Sequence, residues 1–167
     1  MTDREAPEVV VEKFIKAAPA RVYRALTDAR ELERWFFTHA ESDPRPGGGY
    51  RLRYESLDKP NDDHDRFGRY LELVPGEKVV FEWKGDGPGS YRLPPDTIVS
   101  IMLTPEGGGT RVRFVHSGWP AGKAGQKDRD SHEGGWNFFV GNLASMLEGG
   151  PDLRLGRTDF RQRVKGH

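Results

Sequence analysis

Hydrophobic spacing changes along this chain in a definite order. Val9, Val10, Val11, Phe14 and Ile15 make residues 9–17 a β-branched and aromatic run, which predicts a first strand. Pro19 suits the first turn of a helix, and Val22, Ala25 and Leu26 follow at i, i+3 and i+4. Asp28, with Glu31 three positions on, has the pattern of a cap opening a second short helix. Leu32, Trp35 and Phe36 repeat the helical spacing there. After a turn-rich break at 44–49, Tyr50, Leu52 and Tyr54 alternate with Arg51, Arg53 and Glu55, the period of a half-buried strand. Further strands are predicted at 66–74, 78–84, 97–104 and 110–117, divided by signals such as Pro75-Gly76 and Gly107-Gly108-Gly109. Closely spaced strands with short turns imply an antiparallel meander. The stretches 85–96 and 118–130 read as long connections that could gate a cavity.

Residues 131–148 form the last strong element. At 100° per residue, Trp136, Phe139, Val140, Leu143, Met146 and Leu147 share about 120° of arc, with His132 inside it. Asn137, Asn142, Ser145 and Glu148 fall on the remaining face. Gly135 lies at the edge of the apolar stripe, whereas Gly134 and Phe138 point away from it. An outward Phe138 suggests a subunit contact or cover from the tail, with a harmless exposed residue as the alternative. The segment 149–167 has no apolar periodicity and reads as a solvated tail, with an arm packed on this or another subunit as the alternative. The predicted organisation is an extension at 1–8, one domain at 9–148 and the tail or arm at 149–167. Its fold class is α+β: a curved antiparallel sheet of about six strands around a long C-terminal helix. Two short helices stand between the first and second strands, and an apolar cavity lies under the long one.

Composition narrows the function classes. At 167 residues the chain suits a single domain. Its 26 basic and 26 acidic residues cancel, which argues against a general nucleic-acid or membrane-surface role. Without cysteine there are no disulfides, thiolate catalysis or Cys-ligated zinc. The charged N-terminus lacks an apolar leader, and no stretch approaches the ~20 apolar residues of a membrane span, so the cytoplasm is the expected location. Four Trp and nine Phe carry much of the apolar burial.

Candidate chemistry centres on His116 and His132. His116 shares a strand face with Val112 and Phe114, and His132 sits on the buried helix stripe, so both imidazoles are expected at one end of the cavity. They are either core histidines tying helix to sheet or groups that orient a polar ligand atom or move a proton. Trp35, Phe36, Tyr50 and Tyr54 are candidate walls, as are Tyr70, Phe81, Trp83, Phe114 and Trp136. Plain core is the alternative for each. Gly135 would admit ligand where a side chain is missing. The acidic stretch 58–65 lacks the glycine and terminal glutamate of a calcium loop, and His132-Glu133-Gly134-Gly135-Trp136 lacks the second histidine of a zinc-protease motif. Residues 85–89 lack the lysine of a phosphate loop, and no nucleophile elbow occurs. No metal or cofactor is expected.

Several segments carry a resemblance. Ala18-Pro19-Ala20-Arg21-Val22-Tyr23-Arg24-Ala25-Leu26-Thr27-Asp28, running on to Leu32 and Trp35, resembles the start of the START-like, or SRPBCC, helix-grip fold. Gly68-Arg69-Tyr70-Leu71-Glu72-Leu73 and Val80-Phe81-Glu82-Trp83 resemble its middle strands. Thr110 to Pro120 and His132 to Trp136 resemble its last strand and final helix. Together, over roughly residues 8–148, they are similar to the compact bacterial form of the family named after the activator of the heat-shock protein 90 ATPase. The stretch 85–96 and the tail after 149 depart from that pattern. The resemblance implies a helix-grip fold and three function classes. The first is binding of a small, largely hydrophobic ligand in the cavity, with His116, His132 or Tyr54 at its polar end. The second is a co-chaperone-like module with a chaperone partner, or a homodimer through Phe138 or the C-terminal arm. The third is a cyclase or dehydratase using a cavity histidine as base. None involves nucleic acid or membrane insertion.

Overall fold

Asp28 sets the geometry of the first third of the chain. Its backbone N–H caps the first helix by donating to the Arg24 carbonyl at 2.9 Å, and its carboxylate accepts from the Glu31 N–H at 3.1 Å to open the second. One residue thus closes α1 (Pro19–Thr27) and starts α2 (Ala29–Trp35), as the capping pattern predicted. The computed structural model describes residues 7–55, 64–86 and 97–156.

The strands are β1 (Val9–Ile15), β2 (His39–Ser42), β3 (Gly49–Tyr54), β4 (His64–Val74), β5 (Lys78–Glu82), β6 (Lys84–Asp86), β7 (Ile98–Glu106) and β8 (Gly109–Ser117). They form an eight-stranded sheet in the order β1-β8-β7-β5-β4-β3-β2, with β6 added beside β4. All pairs are antiparallel. The sheet exceeds the expected six strands because two short ones carry no readable pattern: His39-Ala-Glu-Ser has no apolar alternation, and β6 has three residues. The predicted strand at 78–84 is divided at Trp83. There β4 changes partner from β5 to β6 across a register shift between Tyr70 and Glu72. Gly68 permits that crossing, since a Cβ there would stand 2.5 Å from the Glu82 carbonyl oxygen.

Tyr50, Leu52 and Tyr54 of β3, Val79 and Phe81 of β5, and Val112 and Phe114 of β8 are buried on the inner face. Helix α3 (Gly122–Leu147) lies over that face through Trp136, Val140, Leu143 and Ala144. It is longer than the predicted 131–148, because 122–130 is helical rather than a connection. Those residues carry no apolar stripe, so their helicity left no periodic trace. Polar ties hold them instead: Arg129 bonds Glu133 at 3.0 Å, one turn on, and the carbonyls of Pro7 and Glu8 at 3.1 Å. Gly125 is buried where a Cβ would meet the Pro120 carbonyl oxygen at 1.8 Å.

The far end of α3 departs further from expectation. Asn142, expected outward, is fully buried. Its amide donates to the Trp35 carbonyl at 2.9 Å, and its Oδ1 accepts from Leu153 N–H at 2.7 Å. The described part of the expected solvated tail, residues 149–156, packs on the domain and contains a 3-10 turn, Leu153–Gly156. Arg154 is 0% exposed. It pairs with Asp152 at 2.8 Å and donates to the carbonyls of Glu33 at 2.8 Å, Phe36 at 3.1 Å and Arg34. The last carbonyls of a helix have no intrahelical donors, and a guanidinium meets both that need and the helix dipole. A basic residue in a sequence without periodicity reads as solvated because the carbonyls that bind it lie 117 or more positions away. Phe138, expected to be exposed, is half-buried with its ring edge-on to Phe139 at 5.2 Å.

Candidate functional site: a cavity between sheet and helix

A cavity of about 250 Å³ lies between α3 and the strands. Phe36 and Phe37, just after α2, form one wall, and Tyr54, Arg66 and Trp83 rise from the sheet. Ser131, His132, Gly135, Trp136 and Phe139 descend from α3. The walls are mutually supported rings. Phe36 stacks on Trp35 at 4.8 Å between centroids, lies 5.4 Å from Trp136 and meets Phe139 edge-on at 4.9 Å. Trp83 and Trp136 are 4.9 Å apart. A Cβ on Gly135 would have no heavy atom within 4 Å, so its missing side chain contributes open space to the cavity.

The two histidines stand 5.4 Å apart with perpendicular rings, yet only His132 lines the cavity. The Nδ1 of His132 is 2.9 Å from the Asp128 carbonyl, which can only accept, so Nδ1 carries the proton. Its Nε2 then accepts from the Trp83 indole N–H at 3.2 Å. His116 lies one layer deeper, 0% exposed, with its ring 4.3 Å from Trp119. Its Nδ1 accepts from the Trp136 indole at 2.9 Å, and Nε2 has no hydrogen-bond partner. Burial first, then the electrostatic influence of His132 and of the Arg66 guanidinium, hold the His116 pKa well below the usual imidazole value. The imidazole of His116 is therefore a neutral group of the core.

The other proposed wall residues divide between cavity and core. Phe36, Tyr54, Trp83, His132, Gly135 and Trp136 line the cavity. Trp35 donates its indole N–H to the Ala25 carbonyl at 2.7 Å, joining α2 to α1. Phe114 lies beneath Trp136 at 4.6 Å. Tyr50, Tyr70 and Phe81 surround a gap of only about 20 Å³, which is packed core. There the Tyr50 hydroxyl donates to the Glu82 carbonyl, and Tyr70 and Ser42 share a hydrogen bond at 2.7 Å. Burial pushes the Tyr70 pKa up to about 12.

Phe37, Arg66, Ser131 and Phe139 line the cavity without having been proposed. Phe139 lay on the predicted stripe, and Phe37 extends the Trp35-Phe36 pair. Arg66 could have been found by counting back from Tyr70 in steps of two, which puts Gly68 and Arg66 on the same inward face. The structure confirms the register by placing Arg66 opposite buried Leu52. Of the acidic stretch 58–65, residues 58–63 lie outside the described residues, as do 87–96 of the proposed gate. Asp65 is described and is paired with Arg51 at 2.7 Å and Arg53 at 3.0 Å. Among the described residues no cluster of His, Asp and Glu could hold a metal ion, and no helix is long and apolar enough to cross a membrane.

Comparison with known proteins agrees with this architecture. No curated protein matches the sequence. A protein from Chromobacterium violaceum, solved by crystallography, is 31% identical with a TM-score of 0.72, over 87% of this chain and 98% of its own. The Aha1 dimer from Colwellia psychrerythraea, solved in solution, is 24% identical with a TM-score of 0.69, over 86% and 97%. A protein from Mesorhizobium loti is also 24% identical, with a TM-score of 0.68 over 86% and 98%. The latter two share the fold. Residues 16–148 match the family model described as activator of Hsp90 ATPase homolog 1-like protein. With the helix-grip architecture and that match over most of its length, the chain belongs to the activator of Hsp90 ATPase homolog 1-like family.

Proposed function

We propose that this protein binds a small, largely hydrophobic molecule in the cavity between the sheet and α3. The observation that carries the reading is an open space of about 250 Å³ with aromatic walls, into which Tyr54, Ser131, His132 and Arg66 bring polar groups. Such a combination of apolar lining and a few convergent polar groups is typical of small-ligand sites. Sequestration is the mechanism: rings remove the apolar body from water while the polar groups orient its other end. A general base would need an imidazole lone pair facing the cavity. Trp83 engages that of His132 and Trp136 that of His116, so the geometry favours binding over acid–base catalysis. A thermal-shift screen of lipids and aromatic metabolites, read together with native mass spectrometry, tests this. At least one compound should raise the melting temperature and appear as a one-to-one complex. A screen without either signal sinks the reading.

A protein-interaction role is the second reading. It draws on the family description and on the relative that is a dimer. Leu153 and Leu155, each about two-fifths exposed on the docked arm, supply apolar surface for it. Pull-down with the host's heat-shock protein 90 homologue and an ATPase assay test this reading. Neither capture nor stimulation would end it.

A further inference from the structure

Resting on the ligand-binding reading for its purpose, we infer that residues 120–135 form a hinged strap over the cavity. The strap opens as a unit to admit the ligand, while the rest of α3 stays in place.

Both ends of the strap are pinned to one residue. Trp119, 0% exposed, donates its indole N–H to the His116 carbonyl at 3.0 Å. Trp136, 3% exposed, donates its own to Nδ1 of the same histidine at 2.9 Å. A segment anchored at two neighbouring buried points can lift between them without disturbing either. Beyond Trp136 the helix is fixed in the core through Val140, Leu143 and Ala144. Between the two tryptophans no side chain is buried: Gly125 is the one buried residue of 120–135, and it has none. Polar ties hold the strap instead. Arg129 reaches the carbonyls of Pro7 and Glu8 at 3.1 Å, and Trp83 donates to His132 Nε2 at 3.2 Å. Helices draw most of their stability from a packed apolar face, and segments with few buried contacts are those that open locally.

Glycines stand where the strap would bend. Gly118 and Gly122, on either side of Trp119-Pro120-Ala121, have φ of 91° and 93°, in the left-handed region. At the other end Gly134 and Gly135 are consecutive inside α3, just before Trp136. A Cβ on either would have no heavy atom within 4 Å, so packing does not require glycine there. Glycine weakens a helix interior, and small-residue pairs are places where helices kink. Ser131, His132 and Gly135 line the cavity, so lifting the strap uncovers it and leaves Phe36, Phe37 and Trp136 behind as walls.

Hydrogen exchange of the free full chain, resolved by residue in NMR, tests the motion without any ligand. Amides at 126–134 should exchange at one common rate, at least about a hundredfold faster than those at 139–146. Protection that declines gradually towards Gly122 is ordinary fraying and overturns the strap, as does equal protection along α3. Gating is tested in stopped flow with 4-nitroanisole, a compact aromatic that quenches tryptophan emission. Gly134→Ala stiffens one hinge without touching the cavity. It should slow association and dissociation together by about fivefold, the factor implied by the helix preference of Ala over Gly, and leave Kd within about twofold. Arg129→Gln unties the strap and should speed both rates at least about fivefold. Rates that ignore both substitutions overturn the gate and leave the cavity reading standing. A strap that exchanges as one unit in a chain that does not bind 4-nitroanisole counts against the cavity reading, and the gate falls with it.

Discussion

The indole N–H of Trp136 donates to Nδ1 of His116 at 2.9 Å and thereby determines which nitrogen of that imidazole bears the proton. The proton sits on Nε2, a buried donor without a hydrogen-bond partner. An unpaired buried donor has a desolvation cost, and protonating the ring would add a charge to a site already beside Arg66. Helix and sheet are joined through a histidine that must stay neutral.

That requirement makes stability depend on pH. The His116 pKa is lowered in the folded state, whereas the unfolded chain titrates near the ordinary value of about 6.5. The unfolded state therefore binds more protons as pH falls below about 6.5, and the folded state loses stability from there down toward its own depressed pKa. Loss should approach about 1.4 kcal/mol per pH unit from this group. Urea unfolding of wild type and His116→Gln between pH 5 and 8 checks it. The variant should be less stable at pH 8 but show a shallower decline below neutrality; parallel curves would refute the assignment.

Arg154 should be among the costliest residues to truncate. Arg154→Ala leaves Asp152 without its cation and the carbonyls at the end of α2 without donors. Burial would raise the Asp152 pKa, but the hydrogen bonds and charge of Arg154 overcome it and hold the carboxyl below its ordinary value. A loss of about 3–5 kcal/mol is expected, as for other broken buried pairs. Arg154→Lys, which keeps the charge but not the fork, should recover only part. Chemical denaturation gives the energies, and faster hydrogen exchange at 33–37 would place the damage.

Gly135→Leu should fill the cavity. The space where its Cβ would project is empty, so the helix accepts the substitution while ligand volume is lost. Affinity for any cavity ligand should drop at least about tenfold with the melting temperature unchanged or raised. Calorimetric titration beside a melting curve separates the two effects. Unaltered affinity would mean that the ligand lies elsewhere.

Two other glycines of α3 should respond with opposite signs to the same change. Gly134 is exposed with open space around it, so Gly134→Ala should stabilise the protein by roughly 0.5–1 kcal/mol through helix propensity. Gly125→Ala gains the same propensity but drives a methyl group into the Pro120 carbonyl, and should cost about 1–3 kcal/mol. Denaturant midpoints of the two variants suffice. Stabilisation by both would contradict the close approach at Pro120.

Much of the fold was legible because local signals and burial agree. Asp28 reads as a cap and acts as one, and Tyr50, Leu52 and Tyr54 alternate because one face of β3 is buried. Illegible parts have distant partners. Asn142 is polar on a helix face that sequence alone assigns to solvent, and only the arm at Leu153 makes that face interior. Residues 122–130 are helical without an apolar stripe because Arg129 is tied to backbone more than a hundred positions earlier. Periodicity identifies the candidate rings but not which of them pack solid. Tyr50 and Phe114 share the inward register of Tyr54, yet packed side chains surround the former pair, whereas space remains beside the latter. Arg66, buried at an inward position, is invisible to hydrophobic patterning, which expects apolar residues there.

The grip of Arg154 on the α2 carbonyls has a temporal consequence. Phe36 and Phe37, whose backbone it holds, make one side of the cavity, so that side cannot be secured until the chain has been synthesised past residue 154. A nascent chain halted after α3 would have its sheet and roof but a loose flank, and the binding chamber would be completed only by a side chain made after its roof.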